Sequence, residues 1–221
     1  ALRNFGVHCP LSIVTRGVDT TQFSPIWRSN TLRQRWGASE QTRVLLYVGR
    51  LSPEKQIDVV MQAYFELRQK SNDVRLIVVG DGPDQERLEG LNHDGSVIFT
   101  GVLRGQKLSQ VYASADVFCF ASQVETFGNV VLEAMASGLP VIAYDYACAH
   151  LHVREQDSGW LVPRGNQQEF INKVLHLPNI HVLKRAGSRA QKMAFNMGWQ
   201  YPIQQFEQAL YAVNRAKVLQ A

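Results

Sequence analysis

Short runs of Val, Ile and Leu recur through most of this chain, each followed by a stretch whose apolar positions repeat at helical spacing. The runs fall at Val44–Val48, Arg75–Val79, Val97–Thr100, Val117–Phe120, Pro140–Tyr144 and Gly159–Val162. They are nearly continuous rather than alternating, which predicts strands covered on both faces. Between them, helical periodicity predicts helices at about Gln56–Lys70, Asp84–Leu91, Gly105–Ala113, Asn129–Ser137 and Gln167–Leu175. Strand and helix in regular alternation need crossover connections. The predicted class is therefore α/β, a doubly wound parallel sheet with ligands outside the carboxyl ends of its strands.

The two ends break this rhythm. Residues before 40 offer one possible strand, Leu11–Thr15, then Arg16-Gly17-Val18-Asp19 and a polar, Trp-containing stretch. Beyond Pro178 the pattern is helical, with Trp199, Tyr201, Phe206, Leu210 and Tyr211 forming an apolar stripe. Such a stripe reads most simply as a helix packed on its own protein. The chain starts at Ala1 rather than Met, and is expected to be a piece of something longer.

Composition narrows the partners. With 45% apolar and 19% charged residues in 221, the chain has the makeup of an ordinary globular protein able to bury a full core. A net charge of +4 is too weak to argue for nucleic acid, though it suits an anionic ligand or an acidic membrane surface. No run approaches the roughly 20 apolar residues of a membrane span. Cys9, Cys119 and Cys148 are odd in number and widely spaced, which fits neither a disulfide framework nor a zinc site and predicts a reducing, cytoplasmic compartment. His150 and His152 lie close together without an evident third ligand, so no metal is expected.

The chemistry concentrates in Glu125-Thr-Phe-Gly-Asn-Val-Val-Leu-Glu133, followed by Gly138 and Pro140. Glu125 falls in a loop, whereas Glu133 falls inside an apolar helix, where a charge needs a partner or a cleft. An internal ion pair with Arg or Lys would satisfy it. So would a ligand, since a carboxylate has only acceptor lone pairs and can hold two neighbouring hydroxyls. Upstream, Val48-Gly49-Arg50-Leu51-Ser52-Pro53-Glu54-Lys55 follows the first strand. Gly49 permits a tight turn, and Arg50 and Lys55 set two cations where a diphosphate could receive them. Gly80-Asp81-Gly82 lacks the third Gly of a dinucleotide fingerprint, since Gln85 stands in its place, and reads as a turn. Asn129 is a competent helix cap, and Asp116 reads as a turn before a strand.

This E-x7-E segment, together with G-R-L-x-x-E-K, resembles the retaining family 4 glycosyltransferases, nearest in feel to bacterial glycolipid and mannosyl transferases. The resemblance implies a GT-B enzyme of two Rossmann-like domains, with this chain the C-terminal half. Residues 1–39 would be the linker and the end of the first domain. Residues 40–198 would bind the nucleotide sugar, and 199–221 would form a helix crossing back. It further implies that Glu125 lies against the transferred sugar with the Phe127, Gly128 and Asn129 backbone, and that Val130 lines the donor site. Glu133 would bind the ribose, Arg50 and Lys55 beside Gly49 the diphosphate, and Val102 and Leu103 the base. The implied donor is a UDP- or GDP-sugar, used without metal or other cofactor. The acceptor, a lipid or saccharide, would be held by the first domain, with possible peripheral association at the inner face of the membrane. One departure is Tyr144-Asp-Tyr-Ala-Cys-Ala-His150, which replaces the Gly-Gly loop of many relatives. A non-catalytic nucleotide-sugar binding module and a sugar-nucleotide epimerase remain as alternatives.

Overall fold

The computed structural model describes residues 2–6 and 11–218, so Cys9 lies outside the described part. Its centre is a six-stranded sheet of β1 (Arg43–Val48), β2 (Val74–Val79), β3 (Val97–Phe99), β4 (Val117–Phe120), β5 (Val141–Tyr144) and β6 (Gly159–Val162), in the order β3-β2-β1-β4-β5-β6. Every neighbouring pair is parallel, with Leu45 beside Leu76 on one side and Val117 on the other. All six predicted strands form, within a residue of their predicted bounds. Their unbroken apolar runs are explained by helices on both faces. In one set, α2 (Ile57–Lys70) packs on α3 (Gln85–Leu91) and α7 (Gln167–Leu175). In the other, α4 (Gly105–Ser114) and α8 (Ile180–Phe195) pack on α5 (Asn129–Ala136), with α6 (Ala147–His152) alongside. The strand order reverses between β1 and β4, which opens a crevice at their carboxyl ends.

The amino ends of the same two strands are closed by charge. Asp116, one residue before β4, is buried and uses both oxygens. Its Oδ1 accepts from Arg28 at 3.0 Å, and its Oδ2 accepts from buried Arg33 at 2.8 Å and from the Val44 N–H at 2.9 Å. A turn before a strand does not describe this residue, which ties β1, β4 and the short helix α1 (Asn30–Arg35) together. The stretch expected to lead into the domain thus packs on it from Val18 onward. Phe23 meets Tyr112 edge-on at 5.5 Å, and Trp36 is in the core.

The strand expected at Leu11–Thr15 does not form. The segment takes no regular secondary structure and lies on no described sheet edge, and Leu11 to Val14 are exposed. It is held instead at its end, where the N–H and hydroxyl of Thr15 donate to Gln205 Oε1 on α9 (Gln200–Val218), both at 2.9 Å. Val18 then makes a single bridge to Gly198. Trp199, Tyr201, Phe206, Leu210 and Tyr211, predicted to be packed, all remain substantially exposed.

Candidate active site

Beyond the ends of β1, β2 and β3 the chain continues as three loops bonded to each other. Gly49 N–H donates to Val79 O, Leu51 N–H to Asp81 O, and Gly80 N–H to Gly101 O, at 2.7 to 3.0 Å. The approach is too close for side chains: a Cβ on Gly80 would stand 1.9 Å from the Gly49 carbonyl oxygen. Gly80 is thus the turn residue expected, for a reason of packing. These loops frame a cleft of about 750 Å³ lined by Gly49, Arg50, Gly80, Asp81, Val102 and Leu103. The Arg50 backbone is fixed by the Tyr47 hydroxyl, which donates to its carbonyl at 3.0 Å. The Arg50 side chain is exposed and, among the described residues, makes no ion pair.

At the crevice between β1 and β4 the two ends of the predicted site meet directly. Pro53–Lys55 forms a single turn, and the Glu54 carbonyl accepts from Gln123 N–H at 3.0 Å, which pins the loop after β4. Lys55 Nζ reaches Glu125 Oε1 at 2.5 Å and the Val124 carbonyl at 2.8 Å, with both charged side chains mostly buried. The expected diphosphate cation and the expected sugar carboxylate are therefore each other's partner here. An ammonium has about three N–H donors, so roughly one is left for a further acceptor. Glu125 also borders a small hollow with Gly128, Tyr144, Tyr146 and Cys148. Burial pushes the Cys148 thiol up to about 12, which keeps it protonated and inert.

Glu133 occupies the inner face of α5. That helix starts at Gly128, whose φ of 74° is one that side chains disfavour. Asn129 is the first helical residue rather than the cap, and its buried Oδ1 has no hydrogen-bond partner, so capping does not explain it. One turn on, Glu133 makes no ion pair among the described residues. Its Oε2 accepts from the hydroxyl of fully buried Tyr112 at 3.0 Å. Burial raises the Glu133 carboxyl above the usual carboxylate range, and the Tyr112 hydrogen bond draws it partly back. Asn129 and Glu133 line a second hollow of about 440 Å³ with Asp19, Gln22, Arg104 and Gly105. The two adjoin along Val102 to Gly105: Val102 and Leu103 line the first cleft, and Arg104 and Gly105 line this hollow.

The residues singled out in the sequence thus fall into adjoining hollows at one end of the sheet. Gly49, Arg50, Val102 and Leu103 share the cleft; Lys55, Glu125 and Gly128 gather at the crevice; Asn129 and Glu133 share the second hollow. Phe127 is half-exposed beneath the Arg16 guanidinium, 4.0 Å from its ring centre, and Val130 packs on the core. Two participants were missed. Tyr112 looks like any apolar position of an amphipathic helix, and Arg16 is remote in sequence from the ring it covers.

The family described as "Glycosyl transferases group 1" matches residues 42–179. A GDP-mannose-dependent alpha-mannosyltransferase of Mycobacterium tuberculosis is 37% identical over 185 residues, covering 83% of this chain and 46% of that protein. The sulfoquinovosyl transferase SQD2 of Arabidopsis thaliana is 42% identical over 134 residues, 60% of this chain and 26% of that one. This chain spans less than half the length of these curated relatives. Among solved structures, Anabaena HepE in complex with UDP superposes with a TM-score of 0.74 at 27% identity, covering 89% of this chain and 56% of that one. The sucrose-phosphate synthase of Thermosynechococcus elongatus gives 0.79 at 23% identity, over 97% and 56%, a likeness of fold alone. The sheet is that of the GT-B glycosyltransferases, and the chain belongs to the glycosyl transferases group 1 family.

Proposed function

We propose that this chain is the donor-binding domain of a metal-independent, retaining hexosyltransferase that takes a GDP- or UDP-sugar. The observation that carries the reading is the Lys55–Glu125 pair at the point where the strand order reverses, with Arg50 on one side and Glu133 on the other. In this reading the base and diphosphate occupy the cleft of Arg50, Val102 and Leu103, and the ribose hydroxyls reach Glu133. Departure of the nucleoside diphosphate builds negative charge that the Arg50 guanidinium and the remaining Lys55 donor can receive. Glu125, already held by Lys55, serves as an acceptor that orients sugar hydroxyls rather than as a free nucleophile. The acceptor, lipid or saccharide, would come from a further domain of the whole protein. The relative named for GDP-mannose makes that donor the first to test. The lipid named in the alpha-monoglucosyldiacylglycerol synthase of Streptococcus pneumoniae, 34% identical over 151 residues, favours a lipid among those acceptors.

The test is calorimetric titration of the chain, and of its full-length parent, with GDP, UDP, GDP-mannose and UDP-glucose, with and without EDTA. One nucleotide family is expected to bind, equally well with chelator present, and Arg50→Ala to weaken the diphosphate while sparing the nucleoside. Failure of every nucleotide to bind the parent would sink the reading, and loss of binding in EDTA would sink its metal-free form.

A further inference from the structure

Glu133 stands in a largely apolar helix, and one neighbour decides how its carboxylate points. Tyr112 donates to Oε2 at 3.0 Å from the interior of α4. Its ring cannot swing, because Phe23 meets it edge-on at 5.5 Å and Phe118 packs on it at 6.0 Å. With Oε2 engaged, the spare acceptor capacity of the carboxylate rests mainly on Oε1, which has lone pairs for two hydroxyls. Glu133 and Asn129, the latter with an unpartnered buried oxygen, border the same hollow. A site with surplus acceptors and one oxygen already tied is suited to donors placed side by side, as on adjacent hydroxyls.

We infer that Tyr112 is the positioning residue of this site: by holding Glu133 Oε2 it aims Oε1 at the vicinal hydroxyls of a ribose, and so sets the preference for a ribonucleotide over one lacking those hydroxyls. The inference rests on the nucleotide-sugar reading above. Tyr112 acts through Glu133 and touches no ligand. If it were only a core filler, Phe would replace it without a change in selectivity, because the ring contacts are kept.

The experiment compares binding of GDP and UDP with that of their 2′,3′-dideoxy counterparts, for the full-length parent as wild type and as Tyr112→Phe. The variant is expected to lose about five- to tenfold in affinity for the ribonucleotide, the scale of one hydrogen bond. Its affinity for the dideoxy form should be unchanged. Equal discrimination in the two chains, with the wild type binding and discriminating, overturns the role of Tyr112 alone. A wild type that binds neither nucleotide, or does not discriminate, overturns the donor reading or its ribose assignment, and this inference with it. Should Tyr112→Phe fail to fold, 3-fluorotyrosine placed at position 112 keeps the hydroxyl. Its fluorine resonance should move on adding the ribonucleotide and stay put with the dideoxy form; the same response to both rejects the proposal.

Discussion

Asp116 and Glu133 are both buried or half-buried acids on adjoining elements, yet the fold treats them oppositely. At the amino ends of the strands, Asp116 has Arg28, Arg33 and a backbone N–H, so its charge is matched on every side. On α5, Glu133 has one phenol, and burial raises its carboxyl further than that single bond lowers it. At one end of the sheet the acid is fully matched, and at the other it keeps acceptor capacity to spare. Stability is concentrated at the first, and capacity for a ligand at the second.

The largest effect is expected at the closed end. Asp116→Ala strands the buried Arg33 cation and frees the Val44 N–H, and should cost about 3–5 kcal/mol in urea unfolding, as removal of one partner from a buried pair does. Nucleotide affinity of the folded fraction should be unaltered; a loss under 1 kcal/mol would mean Asp116 is not the tie described. The open end should answer in the reverse sense. Glu133→Gln is expected to weaken nucleotide binding about ten- to a hundredfold, as loss of charge-assisted bonds does. It should also raise stability near neutral pH. The sign follows from the titration: a carboxyl raised above 4.5 in the folded state holds its proton longer than in the unfolded chain. Stability therefore falls as pH rises through the window between the two values, and Gln escapes that loss. A variant no more stable than wild type at pH 7, or one that binds nucleotide equally well, contradicts the contrast. The mildest test lies away from both ends. Asn179 caps α8 by accepting from the N–H groups of His181 and Val182, each at 3.1 Å, and Asn179→Ala should cost about 1 kcal/mol with no change in nucleotide binding.

What the sequence disclosed depends on range. The six strands were legible because each is a local run of apolar residues, and the α5 helix because Gly128 and Gly138 bracket it. Glu133 was conspicuous because a charge interrupts an apolar helix. Its partner was not, since Tyr112 sits 21 residues away on another helix and carries no local sign that its hydroxyl is used. Arg33 and Asp116 are 83 residues apart, so Asp116 looked like a turn when it is the centre of a charge cluster. Leu11–Thr15 failed for a related reason: alternation and β-branching describe a willing strand, but only the sheet determines whether an edge is within reach.

The three loops beyond β1, β2 and β3 carry a consequence for kinetics. Because their backbones are bonded to one another at Gly49, Gly80 and Leu51, the cleft floor moves with the sheet rather than as separate flaps. A ligand entering there meets a surface whose shape already exists, so little ordering entropy is lost on association. Binding in this cleft should then be fast and close to rigid.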